Sequence, residues 1–569
     1  MALTYEDIRG LNWFIADQVR DKGNGNNNDA LGVAIPILVF KRLLDMRQEY
    51  KGYFFNPNYQ EQYNVMQLFG NLNQAISNYQ NNSPAFSVNP SQIQLYRIQW
   101  SDILNFSDNH NPQNPIPYSD GYDNAVFYSQ ATDKVSFIQE VIESFATQKI
   151  SEIFNYLDFQ TKINSSNITQ ILTYEEFVNL LKHLNKFDLS ITNAPSDIFS
   201  SAYMDLLGRF APQKGSKQGE FFTPNKISKA GIRILNPELL DDGVLVVCDP
   251  TSGACTFLTE FAEFVFNKEK EKLGKSKLSD AERKDIADKI QFVAQEKDRV
   301  SFAAGEANLL LHGLLERADA YHGNTITEYS TKIGSKYEGK CNYVLANPPY
   351  GLDDYGFSFA ENAKNNGAEL SRWGFGLPKA GEGEFAFLQT ILALLSDKGR
   401  AVVVLPEGPG FWNNIPQRQI LVEQKDWIEG MILLPGKLFN TTDIQVCFWI
   451  INKEKSEADS GKIFFVNAEN DFIKMKNKND WNIEKAVKHY NERIEEDDYS
   501  KYVSIETIKN NKFDLSVSKY IKKSQVKEII DINKTLFDID QIIADLSSKK
   551  QNIDNIFSQI KEIYQVNKE

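Results

Sequence analysis

Residues 343–350 read Tyr343-Val344-Leu345-Ala346-Asn347-Pro348-Pro349-Tyr350. The first four form a short apolar run of the kind that makes a buried strand. Two consecutive prolines cannot extend a ladder, because neither carries a backbone N–H and each has a fixed φ. The chain therefore leaves the sheet at Asn347, with an amide, a carbonyl and an aromatic ring held at the strand's carboxyl end. In open α/β sheets that edge is where ligands bind. The Asn347 side-chain oxygen and the Pro348 carbonyl are two acceptors suited to one NH2 group, and Tyr350 offers a flat face to a planar ring. An exocyclic amine on a heterocycle satisfies all of them. A rigid Pro348-Pro349 turn capped by Asn347 is the plainer alternative.

The surrounding sequence supplies the sheet. From about residue 195 to 470, short β-rich runs alternate with helical stretches: 244–248, 290–294, 343–346, 401–405, 430–434, 446–451 and 463–466. Such alternation predicts a doubly wound α/β domain. Residues 268–289 are charged and read as a solvated helix and connection. Residues 351–383 are glycine-rich without clear periodicity, so a long functional loop beside the site or a disordered insertion is expected.

Each predicted strand end carries a further candidate. The first run leads into Asp249-Pro250-Thr251-Ser252-Gly253-Ala254-Cys255 and then a helical stretch. Small residues there let a ligand approach the backbone, and the next helix offers unpaired N–H groups. The turn has neither a phosphate-loop Gly-Lys-Ser/Thr nor GxGxxG. The second run ends at Glu296, an acid placed to accept both hydroxyls of a ribose. The third strand is expected to close through Tyr321-His322-Gly323-Asn324-Thr325. Upstream, Glu220-Phe221-Phe222-Thr223-Pro224 reads as a helix start with Thr223 as cap and Pro224 in the first turn.

Flanking this domain, residues 1–190 read as mostly helical: Ile8, Leu11, Phe14, Ile15 and Val19 recur at helical spacing, as do Ile35, Leu38, Val39, Leu43 and Leu44. Residues 105–124 are irregular, rich in Asn, Asp and Pro. At the other end, Leu536, Ile539, Ile543, Leu546, Ile553, Phe557, Ile560 and Tyr564 follow a 3–4 spacing, which predicts an amphipathic, coiled-coil-like helix. It either packs on the protein's own body or binds a partner.

Bulk properties narrow the function. The chain has 569 residues, 42% hydrophobic and 24% charged, an ordinary globular balance. Four cysteines without a CxxC pair and five scattered histidines argue against a disulfide framework and a metal site. No signal peptide or apolar run long enough to span a membrane is visible, so a cytoplasmic location is expected. The formal net charge of −14 means that any grip on nucleic acid comes from a local basic face or a partner.

These motifs, in this order, make the chain resemble S-adenosylmethionine-dependent amino-group DNA methyltransferases. More closely, it resembles the modification subunits of Type I restriction–modification systems. Residues 29–31 and 40–44, 200–207, Gly219 to Pro224, 308–313, and Leu433-Leu434-Pro435 with Leu438-Phe439 carry the resemblance alongside Asn347 to Tyr350 and the terminal helix. It implies three domains: helical residues 1–190, a Rossmann-like methyltransferase domain at 191–515, and a partner-binding helical segment at 516–569. It implies the cofactor S-adenosyl-L-methionine. Glu220, Phe221, Phe222, Thr223 and Pro224 would line its methionine end. Asp249, Ser252, Gly253, Ala254 and Cys255 would shape its turn, Glu296 would hold its ribose and Asn324 would sit near its adenine. Asn347, Pro348, Pro349 and Tyr350 would hold a flipped adenine for methylation at N6, with Phe357, Phe359 or Trp373 helping to stack it. Double-stranded DNA, a specificity subunit, a restriction subunit and a second copy of the chain are the implied partners. Three positions depart from the family pattern: Cys255 replaces a glycine and narrows the turn, and Asn324 and Asn342 stand where acids are common. A protein glutamine-amide methyltransferase shares Asn-Pro-Pro-Tyr but lacks the helical flanks, and a DNA-clamping scaffold that has lost catalysis is the other reading.

Overall fold

Residues 446–452, Val-Cys-Phe-Trp-Ile-Ile-Asn, are buried throughout. A strand apolar on both sides must lie inside a sheet covered on both faces. In a computed structural model of the chain it does: it is the middle of a nine-stranded mixed sheet. The structure describes residues 3–20, 27–49, 98–119, 126–127, 129–143, 172–190, 193–194, 202–203, 206, 223–407, 415–439, 444–474, 479–521, 541, 546–547, 549–551 and 553. The chain forms two compact units, residues 1–521 and 522–569.

The strands are β1 (Leu245–Asp249), β2 (Ile290–Glu296), β3 (Ala318–His322), β4 (Cys341–Ala346), β5 (Leu395–Pro406), β6 (Ile428–Leu433), β7 (Val446–Asn452), β8 (Lys462–Asn467) and β9 (Ser500–Ser504). Their order is β9-β8-β6-β7-β5-β4-β1-β2-β3. β7 runs antiparallel between β5 and β6, and β9 is an antiparallel edge. All other pairs are parallel. The chain goes outward from β1 to β3 and then crosses back to β4 beside β1. This reversal is a topological switch point, and a crevice opens at the carboxyl ends of β1 and β4.

Successive side chains on these strands belong to different cores. Val247, Phe292, Leu345 and Val402 pack on one side of the sheet, and Cys248, Val293, Val344 and Val403 on the other. The alternation follows from the two-residue period of the strand. All seven strand runs read from sequence lie at or within one residue of a strand, and β9 is additional.

The N-terminal helices α1 (Tyr5–Arg20) and α2 (Asn27–Glu49) belong to the first of these cores. The Phe14 ring of α1 stacks on His183 of α3 (Tyr174–Leu184) at 3.7 Å between centroids. From Val33 to Asp45, α2 is buried on every side. Its charges are therefore paired: Lys41 with Asp45, and Arg42 Nη1 with the carbonyls of Ser190 at 2.9 Å and Ala194 at 2.7 Å. Asn12 donates to Ala202 O at 2.8 Å and Tyr203 to Ala304 O at 3.3 Å, joining the helical region to the sheet domain.

The sheet is flanked by α4 (Asn225–Leu235), α5 (Thr256–Lys272), α6 (Arg299–Leu311), α7 (Gly383–Leu394) and α8 (Ile483–Glu492). Residues 351–383 are neither an open loop nor a disordered insertion. They contain helices Phe357–Asn365 and Leu370–Trp373 and a small core in which Tyr355, Ala360 and Trp373 pack with Ile326, Ala386 and Phe387. In the second unit, Leu546 and Ile553 are helical, seven residues apart and more than half exposed. The remaining apolar positions read there lie outside the described residues.

Candidate functional site

Four loops meet at the switch point, each at a strand's carboxyl end. The loop after β1 is fastened to β2: Ser252 N–H donates to Gln295 O at 3.0 Å and Gly253 N–H to Glu296 Oε2 at 2.9 Å. The loop after β3 is fastened to both, with Gly323 N–H on Glu296 O at 2.9 Å and the Thr325 hydroxyl on Pro250 O. Gln295, fully buried, adds a bond from Nε2 to Gly323 O at 3.3 Å. Asn308 of α6 donates from Nδ2 to Ala254 O at 2.8 Å, holding the β1 turn from behind. Gln295 and Asn308 had no assigned role in the sequence reading. A buried amide facing a turn of small residues was the available signal.

Cys255 sits in this turn with φ +58°, a left-handed conformation that favours glycine. Its thiol lies toward α6, not the crevice. A Cβ built on Gly305 would stand 2.8 Å from Cys255 Sγ and 2.9 Å from Gly253 O. The absent side chain at Gly305 makes the room that the thiol occupies.

Two carboxyls face this region. Burial pushes Asp249 up to about 8, with Glu296 adding to the effect. Burial likewise pushes Glu296 up to about 7, against the bonds it accepts from backbone N–H groups. Glu296 accepts Gly253 N–H on one oxygen and Asp298 N–H, at 2.7 Å, on the other. A carboxylate oxygen accepts two bonds, so each keeps capacity for a ligand hydroxyl. Asn324 has less freedom: its Oδ1 accepts Ile326 N–H at 2.9 Å and Thr327 N–H at 3.2 Å, which leaves Nδ2 as the group to offer an adenine ring nitrogen. Asn342 is structural, its Oδ1 accepting Val246 N–H at 2.9 Å between β4 and β1.

Asn347 is the first residue after β4, where the apolar run and the prolines placed it. Pro348 is buried, Pro349 half-buried, and Tyr350 8% exposed. The Tyr350 hydroxyl donates to Asn347 Oδ1. Its ring meets Phe439 edge-on at 6.4 Å and 87°. Gly351 follows at φ +63°, and its N–H is held by Glu384 of α7 at 2.8 Å. Trp373 is fully buried against Arg372, so it has no face for a base; Phe359 is 39% exposed, and Phe357 packs edge-on against Tyr355. Phe439 is the second aromatic that the structure brings to Tyr350.

Thr223 and Pro224 are half-buried at the start of α4. Pro224, not Thr223, is the helix cap, and the helix begins at Asn225. Glu220, Phe221 and Phe222 lie outside the described residues. Among the described residues, no group of His, Cys, Asp and Glu is placed to hold a metal ion, and no helix is long and apolar enough to cross a membrane.

Comparisons with known proteins agree with this arrangement. The profile of the N-6 DNA Methylase family matches residues 194–529. The Type I restriction enzyme MjaVIII methylase subunit of Methanocaldococcus jannaschii is 31% identical over 379 residues, 64% of this chain and 60% of that protein. The MjaVII methylase subunit of the same organism is 28% identical over 77% of this chain and 73% of its own length. A crystal structure of the type I restriction-modification system methyltransferase subunit from Streptococcus thermophilus superposes with a TM-score of 0.63 at 19% identity, covering 91% of this chain and 99% of that one. The chain belongs to the N-6 DNA Methylase family, and the relatives it matches there are methylase subunits of Type I restriction enzymes.

Proposed function

We propose that this chain is the modification subunit of a Type I restriction–modification system and methylates N6 of an adenine extruded from double-stranded DNA. The observation that carries the reading is the placement of Asn347 and Pro348 at the carboxyl end of β4, next to the Asp249–Cys255 turn on β1. One strand end offers acceptors for an amine, and its neighbour offers a turn of small residues with two uncompensated carboxyls.

The turn fits S-adenosyl-L-methionine. That molecule carries a sulfonium and an ammonium group, and Asp249 and Glu296 are buried carboxyls that a cation stabilises in charged form. Glu296 has acceptor capacity for the ribose hydroxyls, and Asn324 Nδ2 for an adenine ring nitrogen. Ser252, Gly253, Ala254 and Cys255 supply the narrow backbone wall, and Glu220 to Pro224 complete the pocket by resemblance. When bound, S-adenosyl-L-methionine supplies an activated methyl group, whose carbon takes the N6 lone pair as its bond to sulfur breaks.

The chain's own residues make N6 reactive. Its lone pair is delocalised into the purine ring. Hydrogen bonds from the two N6 hydrogens to Asn347 Oδ1 and Pro348 O favour a pyramidal nitrogen and stabilise positive charge as it develops. Tyr350 and Phe439 hold the ring plane, so that positioning supplies much of the rate. Extrusion of the base costs a few kcal/mol. The acidic balance of the chain is consistent with DNA recognition residing in a separate specificity subunit, to which the exposed Leu546 and Ile553 face of the last unit docks. A second copy of the chain and a restriction subunit complete the assembly.

The test is Asn347→Ala in the assembled complex. Methyl transfer to DNA is lost while calorimetric binding of S-adenosyl-L-methionine stays within a few-fold. Loss of cofactor binding together with activity would show that Asn347 does not act on the base.

A further inference from the structure

The loop that ends β6 carries more than Phe439. It turns through Gly436 and Lys437, the latter exposed and at φ +58°. A two-stranded hairpin, Phe472–Lys474 paired antiparallel with Asn479–Trp481, is fastened to that turn. Asn479 donates its backbone N–H to Lys437 O at 2.9 Å and its Nδ2 to Gly436 O at 2.8 Å. Two residues further along the chain is Phe439, against the Tyr350 ring. The hairpin therefore stands on the rim of the base pocket.

Its two strands have opposite characters. The inner one ends in Trp481, fully buried and packed on Phe448 at 5.8 Å. The outer one is exposed throughout, with Phe472 at 37% and Ile473 at 61%. Ile473 is the most exposed large apolar side chain among the described residues. Scattered exposed apolar residues are ordinary, but two in succession on a strand anchored beside a site are not. Lys437 and Lys474 are exposed next to them, and the residues joining the strands add Lys476 and Lys478. Of the nearby acids, Asp471 is engaged by the Tyr499 hydroxyl and Asp480, opposite Ile473, is half-buried. In a chain of net charge −14 this is a local basic rim around an apolar tip.

We propose that this hairpin is a duplex-DNA wedge: Phe472 and Ile473 press on the base pairs beside the extruded adenine, and Lys437 and Lys474 neutralise the phosphates flanking it. The proposal rests on the adenine-methylation reading above. Extrusion leaves a gap in the stack, and apolar side chains inserted between base steps offset part of the unstacking cost.

The experiment uses the complete modification complex, with 2-aminopurine at the target position of a cognate duplex. Phe472→Ser/Ile473→Ser and, separately, Lys474→Glu are compared with wild type. The expected result is a weaker fluorescence rise on binding and a KM for DNA raised about tenfold by the double substitution. A mismatch opposite the target restores it, because such a base is cheaper to extrude. Binding of S-adenosyl-L-methionine and assembly with the specificity subunit stay unchanged. Unchanged fluorescence and KM in both variants overturn the wedge. So does loss of assembly with the specificity subunit, which would make the hairpin a protein-docking face. Wild-type complex that transfers no methyl group to DNA overturns the parent reading instead.

Discussion

Tyr350 donates its hydroxyl to Oδ1 of Asn347, the oxygen that the target amine needs. Burial holds the phenol well above its ordinary pKa, so it stays protonated and remains the donor. In the free protein the tyrosine thus occupies the base's acceptor, and an incoming adenine must displace that hydroxyl before its ring can stack. Tyr350→Phe keeps the ring and removes the competitor. A hydrogen bond of this kind is worth about 1 kcal/mol net, so base capture should improve about fivefold. The measurement is KM for DNA with kcat followed in parallel. A raised KM in the phenylalanine variant would mean that the hydroxyl assists the base.

The cofactor turn depends on a pairing fifty residues apart. Cys255 adopts a glycine-favouring conformation, and its thiol fills the space left open at Gly305. Gly305→Ala forces a methyl group against both Sγ and the Gly253 carbonyl, which belongs to the cofactor wall. The affinity for S-adenosyl-L-methionine should fall about tenfold or more, with a smaller loss of thermal stability. Cys255→Gly should leave binding within about threefold, since relief of about 1–2 kcal/mol of backbone strain offsets the lost thiol packing. Calorimetry on both variants checks this. Equal damage from the two substitutions would contradict the thiol's placement toward α6.

Binding of a cationic cofactor should be pH-dependent. Asp249 and Glu296 are pushed up to about 8 and about 7 by burial, above the ordinary carboxylate value near 4. The folded protein therefore holds protons that the unfolded chain has released, and these groups lower stability as pH rises between about 4 and about 8. A bound cation favours the carboxylates and expels those protons. Affinity should rise from about pH 6 to about pH 8, by up to about tenfold per unit for each proton released. Glu296→Gln should flatten the profile. Calorimetry in buffers of different ionisation enthalpy counts the protons, and a flat profile in wild type would show that the carboxyls do not face the cation.

Much of this was legible in the sequence, for a physical reason. Strands buried on both faces are apolar at every position, so 244–248 through 463–466 stood out without knowledge of their partners. Asn347 was placed correctly because two prolines end a ladder wherever they occur. What was not legible depends on distant residues. β9, Ser-Lys-Tyr-Val-Ser, is an edge strand with little apolar content and gains its place only by pairing with β8. The Tyr350–Asn347 contact is a choice of rotamer. The room for Cys255 comes from Gly305, and nothing near either residue announces the other. The 351–383 segment looked unstructured because its core includes Ile326, Ala386 and Phe387, from outside it, and a buried arginine that composition assigns to the surface.

That arginine, Arg372, makes the last prediction. It is fully buried, with Nη1 and Nη2 both 3.1 Å from Ile326 O, Nε 3.2 Å from Thr390 Oγ1, and Nη1 2.8 Å from Glu369. Its guanidinium lies over the rings of Tyr329 and Trp373 at 4.3 and 4.4 Å. Ile326 follows Asn324 in the loop after β3, so Arg372 ties the segment behind Tyr350 to the cofactor side of the crevice. Arg372→Met keeps much of the volume but strands the Glu369 carboxylate, which is 9% exposed. Breaking a buried pair in this way costs about 3–5 kcal/mol. Arg372→Met/Glu369→Gln should recover part of that loss, since no charge is then left unpaired. Denaturant midpoints for the two single variants and the double variant give the coupling. Limited proteolysis should cut within 351–383 in Arg372→Met before it cuts elsewhere. Strictly additive effects, or first cleavage outside that segment, would mean that Arg372 is not the tie between the two loops.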